Sequence, residues 1–112
     1  MKAIWLVLAV AAASGEPHTD VTVDIRSFGF RNAAIEVPVG TRVTWTNRDA
    51  VEHTVTSGVA DSSDGRFTGT LHGAGATFSH TFDQAGTYRY FCDRHHFMRG
   101  EIRVVPDTNG AH

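Results

Sequence analysis

The feature that most restricts the fold of this chain is its two-residue hydrophobic rhythm. Val21, Val23 and Ile25 alternate with Thr22, Asp24 and Arg26. Ile35 and Val37 do the same before Pro38, and Val43 and Trp45 alternate with Arg42, Thr44 and Thr46. Later runs are His53-Thr-Val-Thr, Phe78 and Phe82 around His80, Tyr88, Tyr90 and Cys92, then Ile102 and Val104. Short runs rich in β-branched and aromatic residues, with alternate positions polar, are the pattern of half-buried strands. Turn formers separate them at Pro38-Val-Gly40, Asn47-Arg-Asp49, Ser57-Gly58, Asp64-Gly65, Ala85-Gly86 and Arg99-Gly100. No helical period is sustained anywhere after residue 18. The expectation is an all-β, single-domain sandwich of seven or eight antiparallel strands. The stretch from Gly58 to Gly75, rich in Gly, Ser and Asp, reads as a long connection with one short edge strand, as Greek-key topology requires.

Strand parity also assigns faces. Val43, Trp45 and Asn47 share one, so Asn47 should turn its amide inward, where it needs hydrogen-bond partners. Tyr88, Tyr90 and Cys92 share another, bringing a thiol to the end of a core strand. His80 falls on the inward parity of its run and reads as a hydrogen-bonded structural histidine.

The chain has 112 residues and a formal charge of −2, enough for one domain with a real core. Near-neutral charge argues against a nucleic-acid or membrane-surface binder that works by bulk electrostatics. Residues 1–15 read as an export signal: Lys2 supplies the positive end, and Ala3 to Ala13 is an apolar run too short to span a bilayer. Cleavage falls after Ala13 or after Gly15, leaving a domain over 16–106 and a polar tail over 107–112. The mature chain then lacks lysine, keeps Met98 as its methionine, and is expected to be periplasmic or otherwise exported, with no membrane insertion.

Export makes the single cysteine informative. Cys92 has no internal partner, and an unpaired thiol in an oxidising compartment needs burial or a metal to survive. It opens the run Cys92-Asp-Arg-His95-His-Phe-Met98-Arg-Gly100, so one tight loop offers a thiolate, an imidazole and a thioether. Glu52-His53-Thr54-Val55, at an upstream strand start, offers a second imidazole. Two His, one Cys and one Met form the ligand set of a blue-copper electron-transfer centre. Structural zinc wants four strong Cys or His ligands, and three are present. A Cys–His nucleophile would need an oxyanion site, for which no motif is visible. Met98 alone would be core filling. In an extended loop neighbouring side chains point opposite ways, which selects His95 as the ligand and leaves His96 exposed.

The chain resembles the cupredoxins, the type 1 blue-copper proteins, most closely the amicyanins and more distantly the plastocyanins and pseudoazurins. The resemblance spans roughly Val21 to Val105 and rests on Val43-Thr-Trp-Thr-Asn47-Arg-Asp, on His53 and its strand, on Ala85-Gly-Thr-Tyr88, and on Cys92-x-x-His95-x-x-Met98-Arg-Gly100. It implies a Greek-key fold, one copper ion, and His53, Cys92 and His95 as equatorial ligands with Met98 axial. Asn47 would tie the His53 loop to the Cys92 loop. Amicyanin-like loops carry proline where this chain has Arg94, so the Arg94 N–H becomes available as a donor to the Cys92 thiolate. The implied function is a non-enzymatic electron carrier, a monomer that meets redox partners such as an amine dehydrogenase donor and a c-type cytochrome acceptor. Electrons would pass at His95, through a surface made by Val51, Phe97 and Arg99, with Arg48 and Arg94 completing a positive fringe. The rival function is an exported copper carrier or storage module outside any redox chain; its open, methionine-rich ligation is what this chain lacks.

Overall fold

The computed structural model describes residues 19–107; the expected export signal over 1–15 and the last five residues of the expected tail lie outside the described residues. Eight strands form: β1 (Asp20–Ile25), β2 (Ala34–Pro38), β3 (Thr41–Asn47), β4 (His53–Val59), β5 (Ser62–Leu71), β6 (Thr77–Phe82), β7 (Gly86–Phe91) and β8 (Arg99–Val105). They make a three-stranded sheet ordered β1-β3-β6 and a five-stranded sheet ordered β2-β8-β7-β4-β5. The expected sandwich is therefore present, with eight strands and no helix among the described residues, and its chain passes repeatedly from one sheet to the other. Two pairings, β1 with β3 and β2 with β8, are parallel, so the sandwich is mixed rather than wholly antiparallel. The reason is the crossing itself: β2 leaves β1 for the opposite sheet, and the chain returns as β3 running in the same direction as β1.

Residues 58–75 differ most from expectation. They hold a ten-residue strand, β5, paired with β4 from His53↔Leu71 to Val59↔Ser62. β5 is the outer strand of its sheet, and exposed residues fill its first half, so apolar alternation is missing and Phe67 and Leu71 alone reach the core. Ser57-Gly58, a turn signal, is instead a bulge within β4, where the register shifts between Thr56 and Gly58. Gly58 sits at φ 125°, and a Cβ there would come within 2.2 Å of the Ser62 carbonyl oxygen. Asp64-Gly65 likewise lies inside β5, not in a turn.

The inward parities hold. Val23, Ile25, Val43, Trp45, Leu71, Phe82, Tyr90 and Ile102 form the core between the sheets. Trp45 stacks on Phe67 and Phe78 and meets Tyr90 edge-on. Asn47 is fully buried, and His80 is a packing residue, its ring against Phe67 and Phe82 at 4.7 and 4.8 Å. Burial holds the His80 imidazole below its ordinary value of 6.5, against the pull of Asp83. Tyr88 is half-buried, while Phe91, on the opposite parity from Tyr90, is also buried. Gly100 lies across from Tyr90 in the β7–β8 ladder, where a Cβ would come 2.2 Å from the Tyr90 ring, so only glycine admits that ring.

The topology brings two chain segments to one end of the sandwich. β4 and β7 are antiparallel with Thr56↔Phe91 and Ser57↔Tyr90, so the start of β4 lies beside the end of β7. The Thr54 hydroxyl accepts the Asp93 N–H at 2.7 Å and fastens them just past the ladder.

Candidate metal centre

Three backbone hydrogen bonds shape the loop between β7 and β8. The His95 N–H donates to the Cys92 carbonyl at 3.2 Å, and the Met98 N–H donates to the His95 carbonyl at 2.9 Å. The Cys92 N–H then closes the loop on the Met98 carbonyl at 3.1 Å. Two successive i→i+3 turns place residues three apart on one side, as in a 3₁₀ turn where such side chains eclipse. That is the structural meaning of the Cys-x-x-His-x-x-Met spacing: residues 92, 95 and 98 return to the same side, and the intervening ones turn outward. His96 is accordingly 42% exposed and bound to Asp61 at 2.6 Å, and Phe97 is 69% exposed.

Cys92 Sγ, fully buried, lies 3.8 Å from His53 Nδ1 and 3.6 Å from His95 Nδ1. The three donor atoms all lie within 4.8 Å of one another. His53 is fully buried, His95 partly exposed, and Met98, which closes the loop through its backbone, is buried at 2% exposure. An ion about 2.0–2.3 Å from each of three donors in a trigonal plane separates those donors by about 3.5–3.8 Å. The sulfur–nitrogen separations match that figure, and one soft thiolate with two imidazoles and a nearby thioether is the donor set copper takes in blue sites.

The sulfur has one further partner that the sequence does not reveal. The Thr54 N–H donates to Sγ at 3.3 Å, because a residue at the start of β4 turns its amide toward β7 rather than toward β5. The expected donor, the Arg94 N–H, makes no hydrogen bond to Sγ among the described residues. Arg94 turns outward and its guanidinium pairs with Glu52, whose carboxyl it holds below the ordinary range. Arg48 pairs with Asp24 at 3.4 Å, and Arg99 donates to the His96 carbonyl at 3.2 Å. Arg48 and Arg94 of the expected positive fringe are thus compensated by carboxylates while Arg99 keeps its charge, and the rings against His95 are the exposed Phe97 and Phe28; Val51 is 42% exposed.

Asn47 does what its parity implies. Its Nδ2 donates to the carbonyls of Val51 (2.8 Å) and Leu71 (3.2 Å), and its Oδ1 accepts the Asp49 N–H at 2.8 Å. These bonds fix the loop leading to His53 rather than reaching the Cys92 loop. The residue sequence reasoning passed over is Asp49. Its Oδ2 lies 2.9 Å from His53 Nε2, which orients the ring and leaves Nδ1 facing the sulfur. Partial burial pushes the Asp49 carboxyl up, but the Phe28 amide, the His53 ring and the Ser27 amide together hold it below its ordinary value. Phe28 is the second omission: its ring meets His53 and His95 edge-on at 5.3 and 5.0 Å.

Known proteins are similar to this chain in sequence and in fold. Residues 17–105 match the family described as copper binding proteins, plastocyanin/azurin family. Amicyanin from Paracoccus denitrificans is 36% identical over 84 residues, which are 75% of this chain and 64% of that protein, so the chain spans just under two thirds of that relative's length. Amicyanin-alpha from Methylorubrum extorquens is 30% identical over 86% of this chain and 81% of its own length. Plastocyanin from Scenedesmus fuscus is 31% identical over 76% and 99%. Among solved structures, a purple cupredoxin from Nitrosopumilus maritimus superposes with a TM-score of 0.69 at 30% identity, covering 76% of this chain and 99% of that one. A reduced amicyanin variant superposes with a TM-score of 0.68 at 34% identity, covering 85% and 90%. With its eight-stranded sandwich and its His53-Cys92-His95 cluster, this chain belongs to the copper-binding plastocyanin/azurin family, the cupredoxins.

Proposed function

We propose that the protein is an exported electron carrier that holds one copper ion between His53 Nδ1, Cys92 Sγ and His95 Nδ1, with Met98 as the weaker axial ligand. The observation that carries this reading is the spacing of the sulfur from the two imidazole nitrogens, 3.8 and 3.6 Å, in a pocket where two of the three residues are fully buried. Bound there, copper supplies a one-electron Cu(II)/Cu(I) couple. The protein's part is to keep the donors still. The Thr54 amide steadies the sulfur, Asp49 fixes the His53 ring, and Asn47 anchors the loop leading to His53.

His95 is the one imidazole of the cluster that reaches the surface, so electrons enter and leave beside it, across Phe97, Val51 and the edge of Arg99. A contact built on that patch is small, below ~1,200 Å², as suits short-lived redox encounters. The partners we infer are redox proteins, an amine dehydrogenase as donor and a c-type cytochrome as acceptor, with a monomeric carrier moving between them in the periplasm. The test is reconstitution of the purified domain with Cu(II). An intense visible thiolate-to-copper band and reversible one-electron voltammetry are expected. A colourless product removes the copper reading; a coloured product with silent voltammetry transfers support to the copper carrier or storage reading.

A further inference from the structure

The turn after β1 adopts a shape its residues do not favour. Arg26 and Gly29 exchange two backbone hydrogen bonds, at 2.9 and 3.1 Å, and the two residues between them, Ser27 (φ 54°) and Phe28 (φ 58°), are both left-handed. A two-residue turn with positive φ at both positions is the province of Asn-Gly and Asp-Gly. A phenylalanine there is strained, and such strain persists only where surrounding structure enforces it. The enforcing group is Asp49. Its Oδ1 accepts the Ser27 N–H at 2.7 Å and its Oδ2 accepts the Phe28 N–H at 2.9 Å, while Oδ2 also meets His53 Nε2. What the strain secures is an aromatic ring, 41% exposed, standing edge-on to both His53 and His95 with interplanar angles of 90°. Core packing does not account for a ring so exposed. Its two neighbours do.

We propose that Asp49 and Phe28 form one positioning unit, a carboxylate-tethered turn whose ring braces both imidazoles and so slows the release of copper. This rests on the copper reading above. The unit explains why one carboxylate serves both the turn and a buried imidazole: a single group sets the tilt of His53 and the height of the ring that rests against it.

Glycine separates the ring from the backbone. Phe28→Gly removes the ring and relieves the left-handed φ, so the metal-free protein melts at the same temperature or higher. Ser27→Gly relieves the neighbouring φ and keeps the ring. Each copper-loaded protein is reduced, and transfer of Cu(I) to excess bicinchoninate is followed by absorbance. Phe28→Gly is expected to release copper about ten-fold faster, from the loss of two aromatic edge contacts. Asp49→Asn, which lets the turn and the His53 ring drift apart, is expected to accelerate release in the same direction. Ser27→Gly should release at the wild-type rate. Wild-type release in Phe28→Gly overturns the brace, as does equal acceleration in Ser27→Gly, which would make turn flexibility the cause. Wild-type release in Asp49→Asn removes the tether. A wild-type protein that takes up no copper at all overturns the site reading and this inference together.

Discussion

Replacing Asn47 by leucine tests whether the amide is structural support rather than decoration. The two side chains are similar in size, so packing changes little, and what is lost is hydrogen bonding. Three partners are stranded: the carbonyls of Val51 and Leu71 and the N–H of Asp49. The Leu71 carbonyl is buried, and leaving it unmade costs about 1–3 kcal/mol. The other two are part-buried, so water recovers some of each, and about 0.5–1.5 kcal/mol apiece is a fair allowance. The sum is about 2–6 kcal/mol. At about 4–8 °C per kcal/mol for a domain of this size, the melting temperature should fall by at least ~8 °C. The measurement is thermal unfolding of the metal-free protein, so that loss of an ion does not contribute. Thr44→Ala, which removes an exposed hydroxyl pair with Ser79, is the control and should change stability by less than ~0.5 kcal/mol. A fall below ~4 °C in Asn47→Leu would mean that solvent or a shifted loop satisfies the stranded groups, and the argument for Asn47 as anchor would be wrong.

Other changes report on separate parts of the molecule. Cys92→Ser keeps an acceptor for the Thr54 amide, so the fold should survive within about 1 kcal/mol while the visible charge-transfer band disappears; a persistent band would exclude Cys92 as its source. Gly100→Ala drives a Cβ to 2.2 Å from the ring of Tyr90, which is itself buried and cannot retreat, so denaturant unfolding should show a loss of about 1–3 kcal/mol or more. His80 titrates below 6.5 in the folded chain because of burial, so the unfolded chain binds its proton more readily. Stability should therefore drop as pH falls below about 6.5, and His80→Gln should flatten the profile there; an unchanged slope would contradict the burial argument.

The residues that carry the chemistry are legible because they are rare types at a fixed spacing. One cysteine in the whole chain, followed at intervals of three by His95 and Met98, narrows the ligand set before any fold is known, and the i→i+3 turns explain why three is the interval. The core strands are legible for a similar reason: inward residues such as Val43, Trp45 and Tyr90 advertise their face by being apolar. β5 escapes that logic. As an outer strand with a mostly exposed first half, it has nothing apolar to alternate, and its pairing with β4 is written in backbone groups common to every residue. Gly58 escapes it too, since glycine marks positive φ without saying whether a turn or a bulge will use it.

The support around the candidate centre is hidden more deeply, and for one physical reason. The Thr54 amide on the sulfur and the Ser27 and Phe28 amides on Asp49 are main-chain donors, and every residue but proline has one. Which amide arrives is decided by register and by contacts 21 to 38 residues apart, not by side-chain identity. Arg94 shows the same limit from the other side. An N–H is available there because the residue is not proline, yet availability does not aim it, and the loop turns that residue outward to Glu52. Ligands can thus be read from residue types, whereas the donors that tune them follow from where the folded backbone points. A substitution that keeps the ligands but frees those amides, such as Asp49→Asn, should alter the behaviour of the site without leaving any mark on its ligand motif.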